Sequence, residues 1–199
     1  MALDDLRGSA GGDAHGRERD RWIGVYIGAL AVILAICSVG GDNAAKDATL
    51  KHIEAANVWS FFQGKNVRRQ IVRSHTEDLE IIVDTMPTLT AEQAKRITDK
   101  ITAGKAYDAK LTSDPASGEG LDELYKRGKA LEAERDLAMA KDPYFDYGQA
   151  ALQIAIVLAS IAIISGGSAL LVLSMVLGAA GALLTLNGFL MVAHLPLIG

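Results

Sequence analysis

Charge is absent from two stretches of this sequence and dense everywhere else. No Lys, Arg, Asp or Glu occurs from Trp22 to Gly41, and none occurs from Tyr147 to Gly199. The first run is 20 residues long, about 30 Å as a helix, which matches the hydrocarbon core of a bilayer. The second is 53 residues long and suffices for two crossings, with Ser165-Gly166-Gly167-Ser168 as the place to turn. Transmembrane helices are therefore expected at 22–41, 148–165 and 168–194. A soluble chain of 199 residues could not surround three uninterrupted apolar helices of this length. The first run lacks an A-x-A-like cleavage site and is longer than a signal-peptide core, so it should persist as an anchor.

The intervening segment, 42–146, carries 16 basic and 19 acidic residues. Its net negative charge excludes nucleic acid as a partner by field. Residues 1–21 are rich in Gly and Asp and lack apolar periodicity, which reads as a disordered tail. The one cysteine, Cys37, falls inside the first span and cannot form an intramolecular disulfide.

Within 42–146 the pattern is helical throughout, and no alternating strand pattern competes. A long helix should begin near Asp42 or Asn43 and end at Met86, before Pro87. Thr90 and Gln93 make a capping box for a second helix, 91–112. Its narrow apolar face collects Ala94, Ile97, Ile101, Gly104, Asp108 and Leu111. After a Pro- and Gly-bearing loop, a third helix over 121–140 turns Leu121, Leu124, Tyr125, Leu131 and Ala138 to the core. Asp142 as N-cap and Pro143 in the first helical position should then restart the chain. Tyr144, Phe145 and Tyr147 fit an interfacial aromatic belt. The expected fold is all-α: three transmembrane helices, a tail over 1–21, a hairpin over 147–199, and an extramembrane antiparallel three-helix bundle or coiled coil over 42–146.

The long helix has two candidate seams. One gathers Ala45, Ala48, His52, Ala55, Trp59, Phe62, Asn66, Arg69 and Arg73 in a heptad register, and the other Leu50, Ile53, Asn57, Phe61, Gly64 and Ile71. A helix in a three-helix bundle needs only one apolar stripe. The expectation is that Trp59, Phe62 and their seam, with His52, Asn66, Arg69 and Arg73, meet another subunit, Asn66 setting register, while Phe61 faces its own bundle. The alternative is that the wheel drifts and all three aromatics pack within one domain.

Three motifs in order around the predicted spans, WSFFQGKNVRR (59–69), DPYFDYGQ (142–149) and LLTLNGF (183–189), resemble a bacterial family of small membrane proteins catalogued as domain of unknown function 4337. The resemblance covers nearly all of the chain after Arg21. It implies a multi-pass protein of the bacterial inner membrane and carries over no activity, ligand or catalytic residue.

The residues themselves offer no catalytic, cofactor or metal site. His15, His52, His75 and His194 include no pair at metal-ligand spacing. The acids Asp114, Glu119, Asp122 and Glu123 do not match a calcium loop. No phosphate-cradling loop or G-x-S-x-G elbow is present. Within the spans, Gly24 with Gly28 and Ser174 with Gly178 permit close helix contact, while Gln149, Gln153 and Asn187 need hydrogen-bond partners, most simply one another. With no ionisable group at depth, coupled transport is disfavoured. These readings favour a non-enzymatic, homo-oligomeric scaffold or accessory protein, whose partners are the bilayer, further copies of itself or another membrane complex. The alternative is a homo-oligomeric channel with a weakly polar lumen. Arg17, Arg19 and Arg21 favour a cytoplasmic N-terminus and a periplasmic helical domain.

Overall fold

The computed structural model describes the backbone of residues 2–193 and the side chains of residues 17–193. Four helices make up the described chain: α1 (Ala2–Thr85), α2 (Ala91–Thr112), α3 (Leu121–Ser165) and α4 (Ser168–Leu190). No strand occurs among the described residues. Three helices are long and apolar enough to cross a membrane: α1 from Arg17, α3 and α4. The tail expected to be disordered over 1–21 is instead helical in its backbone from Ala2 and continuous with α1, while the side chains of residues 1–16 lie outside the described ones.

Two expected helix boundaries are absent. The helix predicted to begin near Asp42 is continuous with the first apolar run, and Gly40-Gly41 does not break it. The reason is packing: a Cβ on Gly40 would stand 2.5 Å from the Phe145 ring and 2.8 Å from Phe189, so the glycines admit aromatic rings against the helix backbone. The restart at Pro143 is likewise replaced by an unbroken α3 with Pro143 inside it. An internal proline forfeits one helical hydrogen bond and crowds the preceding turn. Here the next two residues, Tyr144 and Phe145, are each only 2% exposed, and their burial holds the helix through the proline. Both therefore leave the expected aromatic belt, and only Tyr147 is exposed.

The chain divides into two compact units, Met1–Ala48 with Leu137–Gly199, and Thr49–Asp136. In the first, Leu30, Cys37, Ala44, Phe145, Leu152 and Ala155 form a core. Helix α4 meets it through a stripe of small residues, Ser174, Gly178, Gly181, Thr185 and Gly188, which let helix backbones approach closely. The Tyr26 hydroxyl donates to the Ser174 carbonyl at 2.9 Å, and Ser174 Oγ donates to the Ala155 carbonyl at 2.7 Å. Three helices are thus joined at one point. Arg19 donates to the carbonyls of Gly166 and Ala162 at 3.0 and 3.4 Å, which sets the start of the α1 span beside the turn between α3 and α4.

In the second unit α2 occupies the predicted 91–112, with both bonds of the Thr90/Gln93 capping box formed. Its predicted apolar face is the face that packs: Leu111 is buried and Ala94, Ile97, Ile101, Gly104 and Asp108 are half-buried. The contacts do not assemble a three-helix bundle. Ala55, Val58, Trp59 and Phe62 of α1 cluster with Leu124 and Leu131 of α3, whereas further along α1 Arg69 and Arg73 pair with Asp108 of α2 and Glu80 pairs with Lys105. Helices α3 and α2 thus pair with successive stretches of α1, in a long antiparallel hairpin two helices thick. The narrow face of α2 has room for one partner helix, and α1 is long enough to serve both.

Candidate interaction surface

Each face of α1 in the Thr49–Asp136 unit is defined by what packs on it. The inner face is the heptad seam built on Ala55, Trp59, Phe62, Asn66, Arg69 and Arg73. Trp59 stacks edge-on with Phe62 and Tyr125 at centroid distances of 5.5 and 5.6 Å, and its Nε1 donates to Glu132 Oε1 at 2.9 Å. Gly128 of α3 makes room for the indole, since a Cβ there would lie 2.9 Å from the ring. Arg73 forms a two-pronged bond to Asp108 at 2.8 and 3.0 Å. Arg69 stands 3.8 Å from the same carboxylate and reaches Thr112 Oγ1 at 3.4 Å.

These contacts reverse the expected division of labour on α1. Trp59, Phe62, Arg69 and Arg73 face their own hairpin rather than a neighbour, Asn66 is half-buried on the same side, and His52 stands exposed. Phe61, expected to face inward, is 48% exposed, with Lys65 Nζ 5.3 Å above its ring. The physical reason is shape and charge. The aromatic seam needs the groove that Leu124, Gly128 and Leu131 supply on α3, and two arginines one turn apart need an acid. Asp108 supplies it. That residue stands in the apolar spacing of α2, and an acid among core positions facing two arginines was the signal that could have paired the seams.

Electrostatics reinforce the inner face. Lys129 and then the indole of Trp59 hold Glu132 below the ordinary carboxylate range. The bond to Asp108 raises Arg73, and the bond that Lys51 donates to Glu134 raises Lys51. In the 113–120 connection the backbone amide of Asp114 and the hydroxyl of Ser113 lower Glu123, and Ser117 lowers Asp114. These charges are tied to one another in a structural role. Among the described residues no three His, Cys, Asp or Glu gather as a metal site; His15 and His194 lie outside the described side chains.

The candidate packing residues of the spans separate in the same way. Ser174 and Gly178 are buried, and a Cβ on Gly178 would meet the Tyr26 hydroxyl at 2.6 Å. Gly24 and Gly28 have nothing within 4 Å of a built Cβ and take no part in packing among the described residues. Gln153 is exposed. Asn187 does not pair with Gln149 or Gln153. Its amide nitrogen donates to the Ala193 carbonyl and its oxygen accepts from the Ala193 amide, at 2.8 and 2.9 Å. It closes the C-terminus of α4, where Met191 takes the left-handed conformation, because a short amide side chain reaches freed backbone groups more readily than a side chain on another helix.

Among its described residues the protein is thus all-helical, with three helices apolar enough to cross a membrane and a helical hairpin between the first and second of them in chain order. The chain belongs to the family described as Domain of unknown function (DUF4337), whose family model matches residues 19–191. No curated protein and no solved structure matches it.

Proposed function

We propose that this protein is a non-enzymatic, multi-pass protein of the bacterial inner membrane that acts as a homo-oligomeric scaffold or accessory subunit. One observation carries the reading. The hairpin 49–136 uses one face of α1 for its own packing and leaves the other face studded with exposed apolar side chains, among them Leu50, Ile53, Phe61 and Ile71 at 57, 51, 48 and 64%. An aqueous helix gains nothing from such a stripe unless something covers it. Three polar side chains within the spans favour a scaffold over a pore: Tyr26, Ser174 and Thr185 bond inside the helix packing, so these three would not line a lumen, whereas Gln153 is exposed.

Light scattering of the full chain in mild detergent tests the proposal, with a mass of two or more copies expected. A strictly monomeric protein at all concentrations would sink it. Conductance after reconstitution into a planar bilayer would favour a channel instead.

A further inference from the structure

We infer that the outward face of α1 is a parallel, in-register, two-stranded seam between two copies of this chain, an inference that rests on the homo-oligomer reading above. From Leu50 onward, the residues at alternating spacings of three and four are Leu50, Ile53, Asn57, Ser60, Gly64, Val67, Ile71 and Ser74. Every one is exposed. The four large apolar members of this set, Leu50, Ile53, Val67 and Ile71, keep 51–64% of their surface. Sustained over three heptads and more, this is the pattern of a second coiled-coil seam, with Leu50, Asn57, Gly64 and Ile71 at one core position and Ile53, Ser60, Val67 and Ser74 at the other. The hairpin's own packing does not account for it, because α2 and α3 lie against the other face.

Three features select a second copy as the occupant. Gly64 is an internal helix glycine, costing about 1 kcal/mol relative to alanine, yet a Cβ placed on it meets nothing within 4 Å. Nothing among the described residues requires it, whereas a close approach from outside would. Asn57 is a lone amide at a core position, the arrangement by which identical helices fix register, since each amide finds its counterpart only when the copies align. The flanking charges also agree. In a parallel pair each residue before the seam faces one five residues later on the other copy, so Thr49 meets Glu54, Ala56 meets Phe61, Gln63 meets Arg68 and Gln70 meets His75. No like charges oppose one another. Copies in one bilayer with one topology necessarily present α1 in the same direction, which supplies the parallel geometry. Asp78, at the next core position, would face itself and ends the seam.

Disulfide trapping in membranes tests this directly. In a Cys37→Ala chain, Ile53→Cys, Ser60→Cys and Val67→Cys are made singly, with the adjacent His52→Cys and Asn66→Cys as controls. Mild oxidation is expected to double the mass of the chain for 53, 60 and 67 and to leave 52 and 66 as monomers. Self-trapping at all three seam positions excludes an antiparallel pair, which could bring a position against its own copy only near one crossing point. An oligomer by light scattering that traps at none of the three, or that traps equally at 52 and 66, overturns the seam and leaves the homo-oligomer reading standing. A monomer at every concentration overturns both.

Discussion

Trp59 illustrates how one side chain settles a face. Its ring contacts Phe62 and Tyr125, its Nε1 reaches Glu132, and Gly128 leaves it space. All of these partners belong to its own hairpin. Trp59→Ala removes the ring, its edge-on contacts and one hydrogen bond. The ring is only half-buried, so the cost should fall at the low end of the range for aromatic truncation, about 3 kcal/mol. Chemical unfolding of the full chain in detergent would measure it, and mass by light scattering should stay that of wild type wherever the chain is folded. A lost oligomer with unchanged stability would place Trp59 on an intermolecular surface after all. Gly40 makes the complementary point at the same scale. Its absent side chain is what admits Phe145 and Phe189, so a residue that reads as a helix breaker in sequence is a packing site in the fold.

At the scale of elements, what could be read in advance was what depends on local periodicity. Helix α2 has the predicted ends, the predicted cap and the predicted inner face, because Thr90, Gln93 and a three-four apolar spacing are all encoded within a few turns. The division of α1 into inner and outer faces was not local. Both seams have the same period, and only the complementary groove on α3 and the carboxylate of Asp108 decide between them. Continuity through Gly40-Gly41 and Pro143 was hidden for a related reason: local propensity argues for a break, and burial of Phe145 and Tyr144 overrides it. The 113–120 connection between α2 and α3 is held by polar contacts, with Glu123 accepting from the Asp114 amide at 3.1 Å and from Ser113 Oγ at 2.9 Å. Both Glu123 and Asp114 lie below their ordinary values of 4.5 and 3.8. A depressed carboxylate stabilises the fold above its unfolded value, and that stabilisation is lost as pH falls through the folded one. The connection should therefore loosen in acid, as pH falls below those ordinary values. Hydrogen exchange at the Asp114 amide, normalised to its intrinsic rate at each pH, should show protection falling over that range. In Glu123→Gln the pH dependence should be reduced. Constant protection in the wild-type chain would remove the carboxylate from the role.

At the scale of the whole molecule the open quantity is which side of the membrane holds the hairpin. Arg19 bonds the Gly166 carbonyl, so the basic start of the apolar run in α1 lies beside the turn between α3 and α4, and in the proposed membrane protein the two would share one membrane face. In the proposed membrane arrangement, one crossing would separate both of them from residues 42–146 along the chain. Arg17, Arg19 and Arg21 lie within five residues of the apolar run, where positive charge acts most strongly to retain a segment in the cytoplasm. Lys46, Lys51, Arg135 and Lys141 argue the other way. They flank a segment longer than the roughly 60 residues over which loop charge orients a protein, however, and the arginines should prevail. The expected arrangement puts the hairpin in the periplasm. A single cysteine at Ser117, exposed in the 113–120 connection, in a Cys37→Ala chain should then react with a membrane-impermeant thiol reagent on cells whose inner membrane is intact. Reaction only after that membrane is broken would place the hairpin in the cytoplasm. In that case the lysines beside the spans, rather than the three arginines, would be the charges that orient the chain.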